Sequence, residues 1–270
     1  MKKKNLYISN LAWKNKSFIS IKKLIKINKF KGIDLAPIRI NNSWLNIVKE
    51  SKKFSLILTK EKIKVNAIQG IYYKKNFNLF NKDKNNLNKI FNHTIKIIKI
   101  SKIYKCKKII IGSSEFRKKG ELGTKDADRI FINYFKKFIN ILNKERIYFC
   151  IETIPKQYGE DYLFNFNHTI NLIKKINCKW IRVNFDSSLF HFKKFDKNIL
   201  KKNLNYIKNV QVTERNFNFL LKPKKKNILF CKQLMGLKNF NDISLEIISD
   251  KTDLKKLNYS MKNFNKLLIC

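Results

Sequence analysis

Four times in its second half the chain runs an apolar stretch into an acid or an amide. RIYFCIE ends on Glu152, WIRVNFD ends on Asp186, VQVTER carries Gln211 and Glu214, and ISLEII carries Glu246. Glu152, Asp186, Gln211 and Glu246 stand 34, 25 and 35 residues apart, each roughly one strand-plus-helix step. Apolar runs of this length read as strands buried on both faces. A carboxylate at the C-terminal end of such a strand is poorly solvated, so it needs a metal, a cation or a proton as partner. In the fullest of the four stretches, Arg146–Asp161, Pro155 and Gly159 stop the strand and start a loop, and Asp161 is placed to cap the helix that follows.

The rest of the chain repeats that step. Strands are predicted at Leu6–Trp13, Gly32–Ile40, Val65–Ile71, Lys108–Ser113, Ile147–Glu152, Trp180–Asp186, Val210–Arg215 and Ile243–Ile248. Between and after them, helices are predicted over Ser17–Phe30, over Trp44–Leu58 with Ser43 as cap, over Asp83–Tyr104, and from Thr124 and Asp126 through Ile141. The remaining helices are predicted at Asp161–Ile176, Asp196–Ile207, Lys225–Leu237 and Thr252–Leu268. Eight strands alternating with helices imply a parallel α/β sheet closed into a single (β/α)8 TIM barrel over residues 1–270. An open doubly wound sheet is the alternative, but no GxGxxG follows the first strand. In a barrel all eight strand C-termini meet at one mouth, which brings together Glu152, Asp186, Gln211 or Glu214, and Glu246.

The composition permits a globular core, with 44% hydrophobic residues and no apolar run long enough to span a membrane. Met1–Lys4 is basic, but Asn5, Ser9 and Asn10 interrupt any signal-peptide core, and a cytoplasmic protein is expected. The net charge of +41 would suit a polyanion partner. Yet only six of the 60 basic residues are Arg. Lys, Ile, Asn and Phe all have A/T-rich codons, and the Lys residues are spread along the chain. Codon bias accounts for that mixture, so no specific nucleic acid and no membrane is expected as partner; a homo-oligomer stays open. Cys106, Cys150, Cys178, Cys231 and Cys270 form no CxxC pair and read as reduced, small hydrophobes.

Three carboxylates and an amide at one mouth repel one another unless a cation sits among them, and oxygen donors suit a hard divalent ion. Such an ion can clamp two neighbouring oxygens of a sugar and acidify the carbon between them. Two glutamates on opposite sides, Glu152 and Glu246, can then trade a proton. Each acid taken alone would equally pair with a Lys. Arg117 and Arg215 follow the fourth and seventh strands and could bind a carboxylate or phosphate, or form rim salt bridges. His191 lies in the loop after the sixth strand and could contact substrate; His93 and His168 fall within helices and read as surface residues. Trp13 could stack on a sugar or close the barrel floor.

Taken together, ISNLAW, GIDLAPIRI, IIGSSEFRKKG, IETIPKQYGEDYL, NFD, QVTE and SLE, in this order and spacing, resemble the sugar phosphate isomerase/epimerase family of the xylose-isomerase-like TIM barrels. The resemblance covers nearly the whole chain. It implies a divalent metal held by Glu152, Asp186, Gln211 and Glu246, with Glu152 and Glu246 as the acid–base pair for proton transfer through an enediolate. It also implies a sugar or sugar phosphate as substrate; Arg117, His191, Glu214 and Arg215, by their positions after the strands, are the candidate contacts. The family usually has His where Gln211 stands and a DTG-like turn where this chain has Asp186–Ser188. Gln211 shifts the expected metal towards Mg²⁺ or Mn²⁺ over Co²⁺ or Zn²⁺, or else marks weakened or lost catalysis in a barrel that only binds a sugar or partner. The superfamily's abasic-site endonucleases need many His ligands for three metals, and this chain has three His in all.

Overall fold

The computed structural model describes residues 4–81, 83–194, 196, 198–237 and 239–269. Eight parallel strands close into one barrel: β1 (Asn5–Ser9), β2 (Gly32–Leu35), β3 (Lys64–Ile68), β4 (Lys108–Ile111), β5 (Tyr148–Glu152), β6 (Ile181–Asp186), β7 (Ile207–Thr213) and β8 (Asp242–Glu246). Each pairs with the next, and β8 closes on β1. The helices wrap the outside, the longest being Lys84–Ile103, whose N-cap Asp83 accepts a hydrogen bond from the Asn85 amide. The expected (β/α)8 barrel is the fold.

The two faces of the strands differ. Outward-pointing side chains are apolar and pack on the helices: Phe149 lies against Phe135 and Phe138, and Phe185 against Phe166 and Phe230. Inside the barrel the residues are largely polar. Lys108 donates to the Asn66 amide oxygen, and Asn66 Nδ2 donates to Asp34, Asn209 and Ser244. Asn209 donates to Asn184, Asn184 to Gln211, and Gln211 to Gln69 and Asp34. The expectation of strands apolar on both faces therefore holds only for the outer face. Buried amides are tolerated inside because nearly every donor there meets an acceptor.

Several boundaries move for local reasons. β1 and β2 are shorter than predicted. Ser9 Oγ accepts from the Leu11 amide and turns the chain into a 3₁₀ turn, Asn10–Ala12. Pro37, at φ −57°, starts a helical turn, Ile38–Asn41, instead of ending a strand. β3, β4 and β8 likewise stop short at Ile68, Ile111 and Glu246. Ser43 caps only a turn, and the next helix runs Ile47–Lys60. Asn165, not Asp161, caps the helix Phe166–Ile176; Asp161 instead accepts from the Lys119 and Gly120 amides and ties two mouth loops together. The helix predicted over Asp196–Ile207, part of which lies outside the described residues, shrinks to the turn Ile199–Lys202, and Ile207 opens β7. Gly32 is demanded by the strand pairing: a Cβ there would lie 1.8 Å from the Lys64 carbonyl oxygen.

His93, expected at the surface, is buried; its Nε2 donates to the Ile71 carbonyl, and burial lowers its pKa to about 4. His168 is half-buried against Asp128. Trp13 is buried beyond the end of β1, at the mouth end rather than the floor. Cys106, Cys150, Cys178 and Cys231 are free and buried as expected, and Cys270 lies outside the described residues. Among the described residues no helix is long and apolar enough to cross a membrane.

Candidate active site

Glu152 is the last residue of β5, Asp186 of β6 and Glu246 of β8, so the strand ends themselves carry the three acids to the mouth. All three are buried, and they offer ligand oxygens within 4.8 Å of one another. In register, Glu152 pairs with Asn184, Asp186 with Gln211, and Thr213 with Glu246. Asp186 is the deepest; its carboxylate accepts from the Ser188 amide and from the Thr213 hydroxyl. Glu152 and Glu246 border an open cleft of about 240 Å³ that also meets Gln69, Tyr72, Ser188 and Phe217. A larger hollow of about 300 Å³ opens where Lys4 and Leu6 lead into β1, at the opposite end of the barrel, and holds no acid.

Burial dominates the electrostatics. It raises the Glu152 pKa to about 8, with the Asp186 charge adding to the shift and Arg117 opposing it. Burial also lifts Glu246 well above its usual range, helped by Glu152, Asp186 and Asp34. Asp186 moves upward for the same first reason, opposed by its hydrogen bonds to Ser188 and Thr213. Carboxyl groups this reluctant to ionise together hold protons or a cation. The donor set of three carboxylates fits a hard divalent ion. The Gln211 amide oxygen already accepts from Asn184 at 2.6 Å, while its nitrogen donates to Gln69 and Asp34. A carbonyl oxygen has a second lone pair, so the network orients Gln211 without using up its ligand capacity.

Room for Glu152 comes from β4. A Cβ on Gly112 would lie 1.8 Å from Glu152 Oε2 and 2.8 Å from its carboxyl carbon. The four residues expected to touch substrate go elsewhere. Arg117 is fully buried in an ion pair with Glu160 at 2.7 Å and also donates to the Ile111 carbonyl, so it clamps the loop after β5 to the end of β4. Glu160 in turn accepts from the Tyr162 and Leu163 amides. His191 is held between the Tyr158 hydroxyl and the Thr213 carbonyl. Glu214 accepts from the Arg215 amide and from Asn227. Arg215 lies over the Phe192 ring at 5.0 Å. None of the four borders the cleft.

Three residues of the site went unread in the sequence. Gln69 follows β3 directly, the same signal that marks Glu152, yet AIQGI reads as unbroken strand. Asp34 sat inside a predicted strand with no partner in view. Phe217 carries no sequence signal at all.

With this geometry in place, a comparison with known families identifies one. The xylose isomerase-like TIM barrel family model matches residues 23–223. This chain belongs to that family. Among curated proteins none matches it by sequence. Among solved structures it resembles the D-psicose 3-epimerase of Clostridium cellulolyticum H10 crystallised with D-tagatose, with TM-score 0.79, 8% identity, and 98% of this chain and 100% of that one covered. It also resembles an apo 3-keto-D-glucoside 4-epimerase of E. coli, with TM-score 0.76, 11% identity and 100% of each chain covered. A third similar structure is the IOLI protein with a bound zinc atom, with TM-score 0.72, 12% identity and 98% of each chain covered.

Two outcomes follow. In metal-free protein the folded state keeps the Glu152 proton between about pH 4.5 and 8, where the unfolded chain has released it. Stability should therefore fall as pH rises through that window, and excess Mg²⁺ or Mn²⁺ should flatten the fall by favouring the ionised carboxylates. Thermal melts at pH 5 to 8 check this, with a shallower slope expected for Glu152→Gln; a melting midpoint that rises with pH contradicts it. Gly112→Ala should push the Glu152 carboxylate aside and weaken Mn²⁺ binding by about tenfold or more without unfolding the barrel, as read by calorimetry alongside circular dichroism.

Proposed function

We propose that this protein is a divalent-metal-dependent sugar isomerase or epimerase in which Glu152 and Glu246 exchange a proton with a substrate carbon. The observation that carries the reading is the pair itself: two buried glutamates with raised pKa values, on β5 and β8, border one small cleft with a third acid beneath them. An acid–base group works best when its pKa lies near the operating pH, and burial moves Glu152 there. The similar epimerase structures, one of them with D-tagatose, support a sugar in this cleft.

Glu152, Asp186, Glu246 and the Gln211 carbonyl would hold the ion, Mg²⁺ or Mn²⁺ by preference and Co²⁺ or Zn²⁺ as alternatives. When bound, a divalent ion polarises neighbouring sugar oxygens and acidifies the carbon between them. The chain does the rest. One glutamate removes the proton from the carbon, the enediolate forms, and the other glutamate returns a proton; the roles reverse with direction. The dry surroundings of the two carboxyls keep bulk water from competing for that proton. Gln69 and Ser188 border the same space and can orient hydroxyl groups.

A barrel that binds sugar without catalysis is the second reading, favoured by Gln211 standing where the family has His. An abasic-site endonuclease is disfavoured by placement. His93 lies in the core against Ile71, His168 pairs with Asp128, and His191 is held by Tyr158 and Thr213, so none joins the acid cluster.

Glu152→Gln or Glu246→Gln should lower turnover by roughly 10²–10⁴ while keeping a possible ligand oxygen. The unmodified protein should also move solvent deuterium onto a substrate carbon, measured by NMR over a panel of ketoses and aldoses. Exchange undiminished in the double variant would overturn the assignment. No exchange with any sugar, and no response to Glu152→Gln, would favour the non-catalytic barrel.

A further inference from the structure

The cleft carries acids. Glu152 and Glu246 border it with Asp186 close to both, beside the side chains of Ser113, Ser114 and Ser188 and apolar groups that include Phe217. Among the described residues, none of those bordering it is Lys, Arg or His, in a chain with 60 Lys and Arg. The Arg117 charge is felt at Glu152, but its guanidinium is committed to Glu160, and further cationic side chains line a separate hollow formed by the loops after β5 and β6. That hollow includes Lys156 and Lys193 and shares no lining residue with the cleft. A phosphate placed in the cleft would meet two carboxylates, with only neutral hydroxyl and amide groups to answer its charge, and desolvating a dianion there is costly.

Phe217 adds an independent observation. It and Asn216 have φ of 57° and 58°, a left-handed conformation that is rare for a bulky side chain. Three loops hold this strained turn in place. The Phe217 amide donates to the Glu214 carbonyl and its carbonyl accepts from the Ile248 amide, while the Asn216 amide donates to the Tyr158 hydroxyl. The Tyr158 ring lies 5.1 Å from the Phe217 ring. Strain of this kind persists where the surroundings over-determine it, and here its result is an aromatic ring bordering the same cleft as Glu152 and Glu246.

We propose that the cleft takes a neutral, unphosphorylated sugar, with its hydroxyls toward Glu152, Glu246, Gln69 and Ser188 and its C–H face packed on Phe217. This rests on the isomerase reading above and narrows its substrate class. A pyranose or open-chain ketose offers that pairing, one face of C–H groups and an edge of hydroxyls. The volume of about 240 Å³ suits a single small molecule.

The test uses the full chain with Mg²⁺, D-tagatose and D-tagatose 6-phosphate as probes, and saturation-transfer NMR at about 0.15 M salt to screen contacts with exposed lysines. Site binding is the part lost when Glu152 and Glu246 are both replaced by Ala; the ring is tested with Phe217→Gly, a variant that suits the left-handed backbone and should melt no lower than the unmodified protein. D-tagatose should bind with its C–H protons most saturated. Its binding should weaken by about tenfold or more in Phe217→Gly, the loss expected for one apolar contact in a pocket, and be restored in Phe217→Tyr. The 6-phosphate should bind the site more weakly than the parent sugar. Site binding of the phosphate as tight as or tighter than the parent would overturn the inference while leaving the isomerase reading intact. Unchanged D-tagatose binding in Phe217→Gly would overturn the role of the ring. Site binding of neither probe, nor of any unphosphorylated ketose or aldose, would remove the isomerase reading and this inference together.

Discussion

Three carboxylates from three strands are held within 4.8 Å of one another where water barely reaches. At an effective dielectric near 20, each ionised pair at that distance repels by about 3–4 kcal/mol. Among the described residues no side-chain cation forms an ion pair with any of the three. Arg117 lowers the cost at Glu152 from a distance, but its guanidinium is committed to Glu160. Protons or a divalent ion must supply the missing charge. That requirement links the raised pKa values, the hard-oxygen donor set and the proton-transfer chemistry as consequences of one arrangement.

The arrangement in turn stands on the polar interior beneath it. Lys108 can only donate, so it fixes Asn66 with its oxygen towards the ammonium and its nitrogen towards Asp34, Asn209 and Ser244. Each following amide inherits its orientation: Asn209 donates to Asn184, Asn184 to Gln211, Gln211 to Gln69, and Gln69 to Ser9. One buried charge low in the barrel therefore sets which way Gln211 turns its oxygen at the mouth. Asp34 is the common acceptor of the column. Burial raises its pKa, and the donors around it and the Lys108 charge hold that rise in check.

Much of this was legible in the sequence because strand ends are local. Apolar runs closing on Glu152, Asp186 and Glu246 gave the eight-step alternation, and a closed barrel then forces those ends together. What was misread depends on contacts that no local pattern carries. QVT was read as buried on both faces, yet Gln211 and Thr213 face the interior network while Val210 and Val212 are core. Arg117 looked like an open rim donor because its partner, Glu160, lies 43 residues away. His191, Glu214 and Arg215 sit in loops whose direction is set by Tyr158, Asn227 and Phe192. Phe217 was invisible because its role depends on a backbone angle.

The central claim is that Glu152, Asp186 and Glu246 form one divalent-ion site. Calorimetric titration of Mn²⁺ into metal-stripped protein, unmodified and Asp186→Ala, tests it most directly. The account predicts one equivalent bound by the unmodified chain and an affinity lower by about tenfold or more in the variant, whose fold persists. Binding by Asp186→Ala as tight as by the unmodified protein would contradict it.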